Sequence, residues 1–215
     1  MPVTKGIEID AGSGGFYSGV MLRKMRWIGF LVGVGVLSQC APGSNGKESY
    51  SGVLPGIQAP GSITYLGQTY AAGYSAVNAK GVLVEYFPEG EGPKQWQRML
   101  ALSSLEGNSS PAQQVRARKA AAEGKGLDAI SYSSESTGNH GIDYMLPKGS
   151  NLEFNIFRYA TASDRQGVKS LQYAAIIPKA TVDIGVPALR ALANKHRKEV
   201  LAMPLPEVGR QQAAE

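Results

Sequence analysis

Cysteine occurs once in the 215 residues, at Cys40, and histidine only twice. A lone thiol excludes an intrachain disulfide and every multi-cysteine zinc or iron–sulfur site, and two histidines exclude a His-rich metal centre. Charged residues make up 18% of the chain, below the usual quarter or so of a globular protein. The longest apolar stretch, Trp27–Leu37, is too short to cross a bilayer core of about 30 Å, because eleven helical residues reach only about 16 Å. The phosphate-binding Gly-Lys-Ser/Thr ending and the Gly-x-Ser-x-Gly elbow are both missing. No cofactor or metal is expected.

What is present is glycine (27), proline (12) and a formal charge of +5 with a pI of 9.3. The charge is spread along the chain. Residues 1–40 hold Lys5, Arg23, Lys24 and Arg26 against Glu8 and Asp10, which leaves a net +3 over the following 175 residues. Such a weak field, without interleaved aromatics, gives no reason to expect a nucleic-acid partner.

The most informative stretch is Met21–Cys40, where Arg23, Lys24 and Arg26 precede the apolar run and a small polar exit follows it. That order is the layout of an export signal. Leu37-Ser38-Gln39-Cys40 resembles the lipobox of bacterial lipoproteins, with Leu37, Ser38 and Cys40 in place and Gln39 bulkier than the usual small residue. The resemblance implies removal of residues 21–39 and lipidation of Cys40. It also implies a bacterial envelope protein, an outer-membrane lipoprotein facing the periplasm. A soluble periplasmic or secreted protein is the alternative. Residues 1–20 are polar, Gly-rich and acidic, unlike the start of a signal, and read as an upstream extension of a chain beginning at Met21 or Met25.

Residues 40–61 read as the lipidated cysteine and a flexible linker, 62–206 as a folded α+β domain, and 207–215 as a frayed tail. Within the domain, Ile63–Leu66, Gly73–Val77 and Val82–Phe87 read as strands. Lys94–Leu102 reads as a short helical turn, from the spacing of Trp96, Met99 and Leu100, or as a turn running into extended chain. Ser110-Pro111 signals a helix start, and Gln113–Glu123 the helix. Ala129–Ser133, Ile142–Leu146, Leu152–Ala160 and Lys169–Ile177 then alternate with period two across short turns, which predicts an antiparallel meander. A closing helix over Val186–Met203 places Leu189, Leu192, Ala193, His196, Val200 and Met203 on one stripe. Packed across the sheet, it is expected to bury Phe154, Phe157, Tyr159 and Tyr173. The strand before Trp96, the phrase Phe154–Tyr159 and the terminal helix resemble the PsbP/Mog1-type sandwich.

Chemistry is sparse. Ser136, His140 and Asp143 lie within eight residues, and could supply nucleophile, base and orienter for a hydrolase, but they surround a Gly-Asn turn. Glu85, Glu89 and Glu91 are a thin set of oxygens for a hard cation. Arg116, Arg118 and Lys119 form the densest basic patch, and with Trp96 are the candidate residues for contacting a partner. The expectation is a non-enzymatic lipoprotein, attached to the membrane through its lipid, whose domain contacts another envelope protein. A module that binds an apolar or lipid ligand is the alternative, and a hydrolase the second alternative.

Overall fold

The computed structural model describes residues 47–49, 52–134, 138–163 and 167–211. The export-signal segment, Cys40 and Ser136 lie outside them. The expected α+β architecture is present: a large antiparallel sheet with helices packed on it. Its strands are β1 (Lys47–Ser49), β3 (Ser62–Tyr65), β4 (Gln68–Asn78), β5 (Gly81–Pro88), β6 (Arg98–Glu106), β7 (Ala129–Ser134), β8 (Asn139–Lys148), β9 (Asn151–Thr161) and β10 (Gly167–Ile177). They run in the order β1-β4-β5-β6-β10-β9-β8-β7, with β3 added to β4. The last four strands are the meander read from sequence. Its tenth strand lies centrally because β10 pairs β6 as well as β9.

Three helices are described. Helix α1 (Pro111–Glu123) begins at Ser110, whose hydroxyl accepts the Gln113 N–H while the Gln113 side chain accepts the Ser110 N–H. This reciprocal cap satisfies two backbone donors at the helix start. A single turn, α2 (Lys179–Val182), leads into α3 (Val186–Ala202). The buried stripe of α3 is Ala193, His196 and Val200. Its C-terminal carbonyls meet an unusual cap: buried Arg158, on β9, donates to the carbonyls of Val200 and Met203. A cation there compensates both orphaned acceptors and the negative end of the helix dipole.

The two sheet faces carry different cores. Val84, Tyr86, Leu100, Leu102, Phe154, Ile156, Leu171 and Tyr173 pack under α3. On the opposite face Ile142, Phe157, Tyr159 and Val168 pack with Val115 of α1. The expectation that one helix buries all four aromatics is therefore corrected. Phe154 and Tyr173 belong to the α3 face, Phe157 and Tyr159 to the α1 face, because alternation sends odd and even neighbours to opposite sides.

Three further readings change. Lys94–Leu102 holds no helical turn, but the extended continuation is present: residues from Arg98 onward form β6, with Leu100 and Leu102 on the α3 face and Met99 and Ala101 on the other. Burial on both faces erased the polar alternation that marks a strand. The linker is shorter than expected, since Lys47–Ser49 pairs with Ser75–Val77 of β4. A two-residue strand β2 (Ile57–Gln58) also forms inside it, pairing with β11 (Gly209–Arg210). That second pairing anchors the start of the tail that reads as frayed, helped by the Gln211 N–H donating to the Gly56 carbonyl.

Candidate functional site

The α1 face divides in two. Over β7, β8 and β9 it is covered by α1. Over β4, β5, β6 and β10 lies a separate cluster of Tyr74, Leu83, Phe87, Met99, Ala101 and Ala174, edged by Ala76 and Trp96. None of the three described helices contributes a residue to it.

Tyr74 reaches this face through a bulge. Tyr70 and Ala72 pack with the α3 core, and simple alternation would send Tyr74 there too. The register slips between Ala72 and Tyr74, so Gly73 is the extra residue and Tyr74 turns to the other face. Glycine is needed there, because a Cβ would stand 2.8 Å from the Phe87 ring.

Between this cluster and the one under α1 runs a buried polar seam. Ser103 and Ser170 share a hydrogen bond of 2.6 Å across β6 and β10. The Gln172 amide donates to Asn155 Oδ1 at 2.8 Å, and Asn155 donates to Glu153 at 3.0 Å. Lys148 completes the line, 3.1 Å from Glu153 and 4.3 Å above the Trp96 ring. The seam satisfies its own polar groups, so it adds hydrogen bonds to the floor without leaving buried donors stranded.

One acid stands apart from the seam. Glu85 lies opposite Tyr74 and Ala101 in register, between Leu83 and Phe87 along its own strand. Burial pushes its carboxyl up to about 7. Gln172, in register with Ala101 on the far side, is two strand spacings from Glu85, about 10 Å. The alanine between them carries only a methyl, so the floor is low there. The six core residues of this cluster are buried, and its half-buried edge is formed by Ala76 and Trp96.

The other sequence-derived candidates are scattered. His140 and Asp143 are three residues apart on one strand and so face opposite sides of the sheet. The hydrolase arrangement therefore does not assemble around them. Asp143 faces α3, where Arg197 donates to Oδ2 from Nε at 2.9 Å and from Nη2 at 2.7 Å. Burial raises the Asp143 carboxyl while the Arg197 guanidinium opposes that rise. Arg197 also stands over the Tyr132 ring, which in turn lies across Gly141; a methyl on Gly141 would collide with that ring. Glu91 serves the chain locally, accepting the Gln97 and Arg98 N–H groups, and Glu89 is exposed. No cluster of three or more His, Cys, Asp or Glu suited to a metal occurs among the described residues.

The basic patch is not one surface. Arg116 is exposed and Lys119 lies 3.9 Å from Glu123 on the same helix. Arg118 turns inward, its guanidinium 3.7 Å over the Phe157 ring, donating from Nε to the Tyr159 hydroxyl at 2.6 Å and from Nη1 toward that of Tyr144 at 3.4 Å. It is a clamp between α1 and the sheet, combining cation–π contact with hydrogen bonds to two phenols. Arg118→Ala is expected to cost about 2 kcal/mol in urea unfolding, because it strands the buried Tyr159 hydroxyl. Arg118→Lys should recover only part of that, since an ammonium cannot stack and fork together. Arg116→Ala should change stability by less than about 0.5 kcal/mol.

Of the sequence-derived contact residues, only Trp96 borders this second cluster. Sequence reasoning missed Glu85, Gln172 and Asn155 as a group, although the alternation of Val82, Val84 and Tyr86 already assigned Glu85 to the opposite face. No described helix is long and apolar enough to cross a membrane. Neither the curated proteins nor the solved structures include a match to the chain. The chain belongs to the bacterial protein family whose model matches residues 57–204.

Proposed function

We propose that the chain is an exported envelope protein, held at a membrane by lipid on Cys40, whose domain works by binding rather than catalysis. The observation that carries the binding role is the apolar cluster over β4, β5, β6 and β10, which receives no residue from any described helix. An apolar segment of another envelope protein is the partner we favour, meeting the cluster at its half-buried edge, where Trp96 and Ala76 lie. The envelope address rests on the cationic, apolar and small-residue order ending at Cys40. Outer-membrane placement facing the periplasm is the sorting that the lipobox resemblance implies.

The strand at Lys47 gives the tether a scale. Six residues, 41–46, separate Cys40 from β1, so the sheet edge would stand no more than about 25 Å from the anchored sulfur. Intact mass and membrane fractionation of the native protein beside Cys40→Ser test the address. The expected result is a diacyl or triacyl mass that the variant lacks, with release of the variant from membranes. A wild type without acyl groups would reject the anchor.

A second reading, an apolar or lipid ligand, draws on the apolar composition of the same cluster. Native mass spectrometry of the purified protein decides it: a retained apolar ligand supports that reading, and a bare chain favours the protein partner.

A further inference from the structure

We infer that β7 is a self-association edge: two copies of this chain pair strand against strand along residues 129–133, about a two-fold axis at Ser131, and so join their sheets into one. The inference stands apart from the lipid anchor and from the apolar cluster, and uses neither.

The two edges of the sheet are built differently. An edge strand presents a row of unpaired N–H and C=O groups, which proteins protect with short strands, charges, proline or a bulge. The edge at β4 has such protection. It is split between β1 and β3, three and four residues long, and β1 carries Lys47 and Glu48. β7 has none of it. Its six residues, AISYSS, hold no charge and no proline, and they keep unbroken register with β8 from Ala129–Tyr144 to Ser134–Asn139. Among the described strands β7 pairs with β8 alone, so alternate residues turn their backbone groups outward.

The side chains suit a second copy. Tyr132 packs in the α3 core and Ala129 borders the α1 core, which puts Ile130 on the α3 side and Ser131 on the α1 side. Ile130 is 41% exposed, the one large apolar side chain left exposed within a described strand. A two-fold axis perpendicular to the sheet keeps each side chain on its own face. Centred on Ser131, it sets Ala129 opposite Ser133, and Ile130 opposite Tyr132 of the second copy, twice over. A β-branched residue against an aromatic is a favourable cross-strand pair. Centred on Ile130, the axis would engage only residues 129–131, because 126–128 precede the strand; centred on Tyr132, it would set Ile130 against a serine.

The helices leave room. α1 is centred over β8, one and a half strand spacings or about 7 Å from the axis. The two copies of α1 then stand about 14 Å apart, beyond the 8–10 Å or so of packed helices. α3 lies over β8 and β9, farther back.

The test uses the full chain with Cys40→Ser, which makes an introduced thiol the only one. Ser131→Cys places that thiol on the axis, where opposed Cα atoms stand about 5 Å apart, within disulfide reach. Ser133→Cys, at a more exposed position, places it about 14 Å from its mate. Under mild oxidation with glutathione disulfide, covalent dimer on a non-reducing gel is expected to form several-fold faster from Ser131→Cys. Random collision gives the opposite order, so equal rates or a faster Ser133→Cys would overturn the inference, as would no dimer from either. Adding Ile130→Lys should slow trapping at Ser131→Cys about tenfold, and an unchanged rate would also overturn it. Circular dichroism and thermal melts matched to the parent establish that each chain is folded. Ile130→Thr, a strand former without the apolar bulk, replaces the lysine variant if that chain unfolds.

Discussion

Arg197→Met is expected to lose about 3–5 kcal/mol of stability at pH 7, the largest effect of any single change considered. Asp143 is almost fully buried between β8 and α3, and both donors that reach its Oδ2 come from Arg197. Methionine can fill much of the space and still touch Tyr132, so the loss measures an abandoned carboxylate more than a cavity. The pH dependence separates the two causes. Arg197 supplies the opposition to burial at the Asp143 carboxyl, so without it the folded variant holds a proton that the unfolded chain releases. Its stability must then fall as pH rises above the ordinary carboxylate range, and the deficit against the parent should be smaller at pH 5 than at pH 8. Adding Asp143→Leu to Arg197→Met removes the stranded charge and should restore most of the loss. Strict additivity of the two single variants in urea unfolding would refute this account.

The same pair shows what could and could not be read from the chain alone. Asp143 was visible beside His140 and looked like part of a catalytic cluster, because sequence proximity says nothing about which face each side chain takes until the strand is known. Once residues 139–148 form a strand, the odd separation of His140 and Asp143 places them on opposite sides. The meander and the terminal helix were legible because turn residues and clean periodicity mark them locally. Residues 98–102 were not. Both faces of β6 are buried, and the adjacent Met99 and Leu100 imitate helical spacing. The pairing of Ile57–Gln58 with Gly209–Arg210 joins residues about 150 apart in two-residue strands, so no local pattern announces it. Arg118 read as part of a basic patch for a partner because its actual neighbours, Phe157 and Tyr159, are supplied by strand register across the sheet. Likewise, alternation could assign Glu85 to a face, but only the packing of α1 over the other half shows that this face carries two separate clusters.

Glu85 and His196 should make the stability of the parent chain misleadingly flat in acid. The Glu85 carboxyl, normally near 4.5, is pushed up to about 7 by burial among Tyr74, Leu83, Phe87 and Ala101. The folded state thus binds this proton more tightly than the unfolded chain, and stability falls as pH rises from 4.5 to 7, by up to about 3 kcal/mol. His196 works the other way. Burial, with Lys195 nearby, lowers its imidazole from 6.5 to about 4. It lies against Tyr173 and Phe154, and its Nδ1 is 2.8 Å from the Tyr65 hydroxyl, which burial keeps protonated and able to donate. The unfolded chain therefore takes up this proton first, and stability falls as pH drops from 6.5 toward 4, by about 1–2 kcal/mol after screening. Between pH 4.5 and 6.5 the two slopes oppose each other. Glu85→Gln should raise stability by about 2–3 kcal/mol at pH 8, and below 6.5 its curve should climb with pH, exposing the histidine. His196→Gln, which keeps an acceptor for Tyr65, should be less stable overall yet decline steadily from pH 4.5 to 7, exposing the carboxylate. Each curve is read as a difference from the parent, so titrations shared by both chains, such as those of Asp143 and Glu207, cancel. A Glu85→Gln curve parallel to the parent at every pH would mean that the carboxyl is open to water, and that the face around it is already wet.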